Sequence, residues 1–261
     1  MLIAKSKRLR QIVGLAETMS VLSFRLWLSR PAAIRTWPGL CYRQFVSLAK
    51  KDLWQSRELE ELFPDIQSMD VRIPFSPGRG IITDPDELVS VAVITKARKP
   101  QRMFEIGTFR GRTTRILAMN SGASAVVYTL DLPPNERDQF RQCVSDADNA
   151  IIANSETGAD YRGTPEEAKI KQLFGNSMEF DFSPFENQMD MVIVDGAHHY
   201  EAAKKDSVNA IRMVSKGGWV LWHDFANYGD YADVTRAVLD TVPSNEVIQI
   251  GRTQYAAWVK P

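Results

Sequence analysis

Residues 102–112 read Arg102-Met103-Phe104-Glu105-Ile106-Gly107-Thr108-Phe109-Arg110-Gly111-Arg112. Arg102–Ile106 is a short strand, and it runs into a turn marked by two glycines four residues apart. A helix from Arg112 to about Asn120 follows and stops at Gly122. Glycines at this spacing allow a tight turn and a close backbone approach. The loop lacks the GxGxxG dinucleotide pattern and the Lys-Ser/Thr of a P-loop. A strand, this loop and a helix, followed by a strand ending in an acid, favour an adenosyl ligand without a pyrophosphate.

The pattern continues in both directions. Upstream, Asp84-Pro85-Asp86-Glu87 is a strong helix start. Asp84 is the N-cap, proline occupies the first turn, and a glutamate stands three residues past the cap. That helix runs through Ala97 and ends before Pro100. Downstream, Val126–Leu130 is a strand closed by Asp131, and a helix is expected from Asn135 to about Ser145. Residues 146–165 are polar and irregular, and are read as a lid, an acceptor wall or a surface loop. A short helix is expected over Pro165–Phe174, leading to Gly175, Asn176 and Ser177.

Met189–Val194 is the most apolar strand, and it ends at Asp195. A helix over Tyr200–Val214, a strand Trp219–Trp222 ending at His223-Asp224, and a helix Tyr231–Val242 complete the alternation. Strands Val247–Ile250 and Gln254–Val259 flank a hairpin turn at Gly251-Arg252-Thr253. Alternating apolar strands and helices imply an α/β fold. The expected architecture is a Rossmann-like, doubly wound, mostly parallel seven-stranded sheet with a terminal antiparallel hairpin.

In such sheets ligands lie beyond the carboxyl ends of the strands. The residues expected there are Glu105 with the glycine loop, Asp131, Asp195 with His198 just past it, and His223 with Asp224. Asp131 is placed to take ribose hydroxyls, and Asp195 could instead simply cap the following helix. His198 and His199 are adjacent, so only one can face the site. His223 could be a ligand or a partner of the ligands.

Residues 81–261 resemble the class I S-adenosylmethionine-dependent methyltransferases. The resemblance is to the group with a strand ending in DGxHxY, here Asp195-Gly196-Ala197-His198-His199-Tyr200, and a later strand ending in Trp222-His223-Asp224. It implies that Glu105, Gly107, Thr108 and Gly111 line the methionine part of S-adenosylmethionine. It implies further that Asp131 and Leu132 stand at the ribose, Asn176 and Ser177 approach the adenine, and Asp195 borders the cofactor. Asp195, His223 and Asp224 would hold Mg2+ or another divalent cation, and His198 would be the catalytic base. Imidazole is a poor magnesium ligand, so His223 favours a softer ion or no metal. The expected activity is methyl transfer to a hydroxyl of a small molecule, a sugar or a glycosylated product. The alternatives are a nitrogen or lipid-linked acceptor, or a non-catalytic adenosyl-binding or interaction protein on the same fold.

The first 80 residues lie outside the resemblance and are read as a basic helical extension and connector. The whole chain has 261 residues with 32 Lys+Arg and 32 Asp+Glu. Residues 1–50 hold nine of those basic residues and one acid, Glu17, which leaves 23 basic and 31 acidic residues in the remainder. A zero net charge excludes a surface built as a whole for nucleic acid, and 44% hydrophobic with 25% charged excludes global disorder. Residues 5–28 read as a basic amphipathic helix. It is either a peripheral membrane contact or a surface packing on the body or on a second copy in a homo-oligomer. A second helix is expected over 41–63. Cys41 and Cys143 stand in no CxxC pattern, no apolar run of 18 residues exists, and no signal peptide is clear. A cytoplasmic protein is expected.

Overall fold

The computed structural model describes residues 54–74, 84–136, 156–227 and 231–261. The expectations for residues 1–53 and for most of the helix at 135–145 lie outside them. Among the described residues no helix is long and apolar enough to cross a membrane.

In chain order the elements are β1 (Gln55–Arg57), α1 (Leu59–Leu62), α2 (Pro85–Arg98), β2 (Arg102–Ile106), α3 (Arg112–Asn120), β3 (Val126–Asp131), β4 (Ile170–Phe174), β5 (Met189–Val194), α4 (Tyr200–Met213), β6 (Val214–Trp222), α5 (Ala232–Leu239), β7 (Ile248–Ile250) and β8 (Ala256–Val259). They build one eight-stranded sheet in the order β1-β7-β8-β6-β5-β2-β3-β4. The run β6-β5-β2-β3-β4 is parallel, and β8 is antiparallel to both β6 and β7. The sheet is thus the doubly wound α/β architecture with a terminal hairpin that the alternation implies.

Alternate side chains of each strand enter opposite layers, as the two-residue repeat of a strand requires. Phe104, Val192, Val194, Val220 and Trp222 pack with Ala203, Ala210 and Met213 of α4 and Val234, Ala237 and Val238 of α5. Met103, Met191, Ile193 and Leu221 pack with Val91 to Ile94 of α2 and Ile116 and Leu117 of α3. Because both faces are covered, the strands read as nearly continuous apolar runs.

Three stretches differ from expectation. Pro165–Phe174 is a single 3-10 turn, Pro165–Lys169, followed by strand β4. Pro165-Glu166-Glu167 does begin a helical turn. Ile170 to Phe174 then meet the open edge of β3 and pair with Val127 to Asp131 in parallel, and the ladder overrides local propensity. The helix expected at 41–63 is, over its described part, strand β1 and the single turn α1. β1 pairs in parallel with β7, so residues well before 80 belong to the sheet, and the compact unit that holds it runs from Leu53 to Pro261. The strand expected at Trp219 begins earlier, at Val214, and absorbs an irregularity opposite Met189 and Met191.

Candidate active site

The backbone ladder continues one step past the strands and sets the level of the site. Gly107 N–H donates to Leu130 O at 2.9 Å, Asp195 N–H to Ile106 O at 2.8 Å, and His223 N–H to Val194 O at 3.0 Å. The first residues beyond β2, β5 and β6 therefore stand side by side. Gly107, with φ +99°, is the contact point, and its Cα faces the Asp195 carbonyl.

Glu105 is the last acid inside β2 and is fully buried. Thr114 and Thr129 both donate to its Oε2, Thr129 at 2.6 Å. Burial pushes the Glu105 carboxyl up to about 8, against the pull of those two hydroxyls. A donor relay leads to it. Tyr161 OH donates to Gln172 Oε1 at 2.5 Å, and Gln172 Nε2 donates to Thr108 Oγ1 at 3.1 Å. Thr108 and Thr129 share a hydrogen bond of 2.7 Å. Since Thr129 spends its one proton on Glu105, Thr108 is the donor in that pair. Thr108 is thus a buried link between the loop and the sheet.

Gly111 serves a different neighbour. Its φ is +82°, and a Cβ there would meet the Tyr161 ring at 2.4 Å. Residues 156–165, the described part of the long polar segment, clamp the glycine loop. Gly158 N–H donates to Phe109 O, Asp160 N–H to Arg110 O, and the Asp160 carboxylate pairs with Arg110 at 3.0 Å and Arg112 at 3.7 Å. Tyr161, Gln172, Thr114 and Thr129 carried no signal in the sequence beyond their residue types.

Asp131 holds the loop ends. Its Oδ2 accepts from Phe109 N–H at 2.9 Å and its Oδ1 from Leu132 N–H at 2.8 Å. Asn176 Oδ1 accepts from Met178 N–H at 3.0 Å, which shapes the turn after β4. Ser177 lies beside the buried Asp206 of α4, whose carboxyl burial raises to about 7.

The acid–imidazole cluster forms where β5 and β6 end. His198 turns inward and His199 is exposed, as adjacency requires. His198 Nε2 donates to Asp224 Oδ2 at 2.9 Å, and its ring stacks on Tyr231 with centroids 4.0 Å apart. Asp224, at φ +56°, occupies the left-handed region, a strain that the surrounding contacts must hold. His223 Nδ1 lies 3.1 Å from both Asp195 Oδ1 and Asp224 Oδ2. Its Nε2 lies 3.1 Å from Glu87 Oε2. Burial alone would lower the His223 pKa, but Asp195 and its other neighbours raise it well above the usual imidazole value. Burial would likewise raise Asp224, but the hydrogen bonds from His198 and His223 hold it well below the carboxylate range. A small cleft is lined by Asp195, Gly196, His198, His223 and Asp224, with Trp222 among its apolar walls.

Asp195, His198 and Asp224 each present one ligand-capable atom, all within 4.8 Å of one another. His198 thus takes the place in this group that the resemblance implies for His223, whose two ring nitrogens both face carboxylates. Two carboxylates and one imidazole suit a first-row transition ion better than magnesium.

Residues 104–225 match the family model described as a methyltransferase domain. No curated protein matches the chain. Among solved structures, a Klebsiella pneumoniae protein whose own assignment as an O-methyltransferase is provisional aligns at 13% identity. The alignment covers 75% of this chain and 94% of that one, with a TM-score of 0.50. The O-methyltransferase TomG of Streptomyces achromogenes, in complex with SAM, aligns at 12% identity over 78% and 100% of the chains, TM-score 0.47. The Bacillus cereus O-methyltransferase in complex with SAH aligns at 16% identity over 84% and 97%, TM-score 0.46. The matched span takes in the glycine turn and the strand ends of the site, and over residues 104–225 this chain is similar to a methyltransferase domain.

Proposed function

We propose that the chain transfers the methyl group of S-adenosylmethionine to a hydroxyl of a small molecule, a sugar or a glycosylated product. The observation that carries this reading is the His198–Asp224 pair beside Asp195, one strand away from the Gly107 turn. A hydroxyl is a weak nucleophile and gains from a positioned base. With Nε2–H directed at Asp224, the neutral His198 ring carries its basic lone pair on Nδ1, the atom that would take the hydroxyl proton. Asp224 fixes that tautomer and favours the imidazolium that results, as the third member of such arrangements does. Asp131 and Asp195 border the place where the cationic donor would lie. Opposite charge nearby favours a sulfonium.

The same three side chains, Asp195, His198 and Asp224, would hold a divalent cation. When bound, such an ion orients a hydroxyl and lowers its pKa. His198 cannot be ligand and base at once, so the two roles exclude each other. The solved O-methyltransferases crystallised with SAM and SAH support the cofactor, and the zero net charge supports an acceptor other than nucleic acid.

The test is calorimetric titration with S-adenosylmethionine and S-adenosylhomocysteine, then labelled methyl transfer to a panel of sugars, glycosides and amines. Binding with transfer to a hydroxyl supports the reading. Transfer to the amines replaces it, and binding without transfer favours an adenosyl-binding protein on this fold.

A further inference from the structure

Glu87 stands at a helix start whose sequence predicts a capping box, with the glutamate side chain reaching back toward the N-cap. Half of that box forms: Asp84 Oδ1 accepts from Asp86 N–H at 2.9 Å. The Glu87 carboxylate goes elsewhere. It is buried, at 4% exposure, and accepts from two donors far away in sequence. Its Oε1 takes Gln254 N–H at 3.1 Å, and its Oε2 takes His223 Nε2–H at 3.1 Å. One side chain of α2 therefore joins the turn before β8 to the first residue beyond β6.

The consequence lies on the other side of the His223 ring. A planar ring held at Nε2 has its Nδ1 aimed in a fixed direction, and that direction is the gap between Asp195 Oδ1 and Asp224 Oδ2, each at 3.1 Å. Tyr255 backs the ring, with centroids 4.8 Å apart. Ionised carboxylates only accept hydrogen bonds. Both ring nitrogens are therefore donors, and His223 is a cross-link between three acids from α2, β5 and β6. A carboxylate at position 87 is needed for this, because it accepts twice. A glutamine offers one acceptor and one N–H2 group to the same two donors, so one of them must face an N–H.

We infer that Glu87 is a positioning residue of the site: it orients His223, and through it sets the spacing of Asp195 and Asp224. The inference rests on the proposed function only for what that spacing serves.

The chain has three histidines, so its ring nitrogens can be followed one by one in the full-length protein labelled with 15N-histidine. A His223→Gln variant assigns the signals. In the wild type both His223 ring N–H protons are expected, protected from exchange by burial. In Glu87→Gln the Nε2–H signal is expected to be lost or displaced while exposed His199 stays put. In Glu87→Asp, which keeps two acceptors one methylene short, it is expected to move less. If His223 has the same ring signals in all three proteins, or shows no protected Nε2–H in the wild type, the inference is overturned. Should Glu87→Gln fail to fold, the Glu87→Asp comparison decides in the same way. Binding of S-adenosylhomocysteine to the wild type is measured separately: its absence sinks the methyltransferase reading, whereas an indifferent His223 spectrum sinks only the role of Glu87.

Discussion

A methyl group placed on Gly107 would lie 1.9 Å from the carbonyl oxygen of Asp195. The glycine turn and the acid that follows β5 are therefore in direct backbone contact. The loop has no room to carry a side chain without moving off the neighbouring strand end. Gly107→Ala is expected to cost about 2 kcal/mol of stability, from overpacking and a strained positive φ. It is also expected to weaken S-adenosylhomocysteine binding. Chemical denaturation and calorimetry check the two effects, and a neutral outcome in both would remove this contact as an organiser of the site.

Glu105 sets a pH dependence of the fold. Its carboxyl has an ordinary value of 4.5, and burial raises it to about 8. Below pH 4.5 both folded and unfolded chains hold the proton. Between 4.5 and 8 the unfolded chain releases it and the folded chain keeps it, so stability falls as pH rises through that window, by roughly one kcal/mol per pH unit. Asp206 adds a slope of the same sign between its ordinary 3.8 and about 7. Glu105→Gln, which stays neutral, is expected to flatten the profile and to exceed the wild type in stability at pH 8. Thermal unfolding from pH 5 to 9 measures this, and a steeper fall in the variant would contradict it.

His198→Ala is expected to lower kcat by about a hundredfold or more, the usual contribution of a positioned base. KM for S-adenosylmethionine should change little. His199→Ala, one residue away and exposed, is expected to leave both constants unchanged. Equal turnover in wild type and His198→Ala would take His198 out of the chemistry.

In the alternative where His198 is a metal ligand in place of a base, manganese added after chelation is expected to raise the unfolding temperature of the wild type, since a ligand that binds only the folded state stabilises it. Asp195→Asn and Asp224→Asn should abolish the rise. His198→Gln should reduce it by removing a ligand, and His223→Gln should reduce it by releasing the spacing of the two carboxylates. An unfolding temperature indifferent to the ion in the wild type argues against any metal at this cluster.

The strand-end residues were legible because two rules act together. An apolar run bounded by glycine or an acid marks a buried parallel strand, and an open α/β sheet puts its ligands beyond the carboxyl ends. Glu105, Asp131, Asp195, His198, His223 and Asp224 follow from that pair of rules, and the structure does bring Asp195, His198 and Asp224 together. β4 was hidden because Pro165-Glu166-Glu167-Ala168 favours a helical turn on its own. Only the vacant edge of β3, far earlier in the chain, makes a strand of Ile170–Phe174. Tyr161 and Glu87 were hidden for a related reason. Each acts through a partner distant in sequence, Gly111 for the tyrosine and His223 for the glutamate, and local spacing carries no trace of either pairing.

The pairing of β1 with β7 fixes an order of events in the making of the protein. Gln55 to Arg57 lie opposite Ile248 to Ile250, and Trp54 is bonded to Gln249 and set edge-on to Phe225. During synthesis from the N-terminal end, β1 leaves the ribosome long before its partner exists. It must wait, unpaired, until almost all of the sheet has been translated. Contacts of such long separation are the slowest to form. The first of the described strands to be made is thus among the last to be placed, and until it arrives the β7 edge is open to other strands.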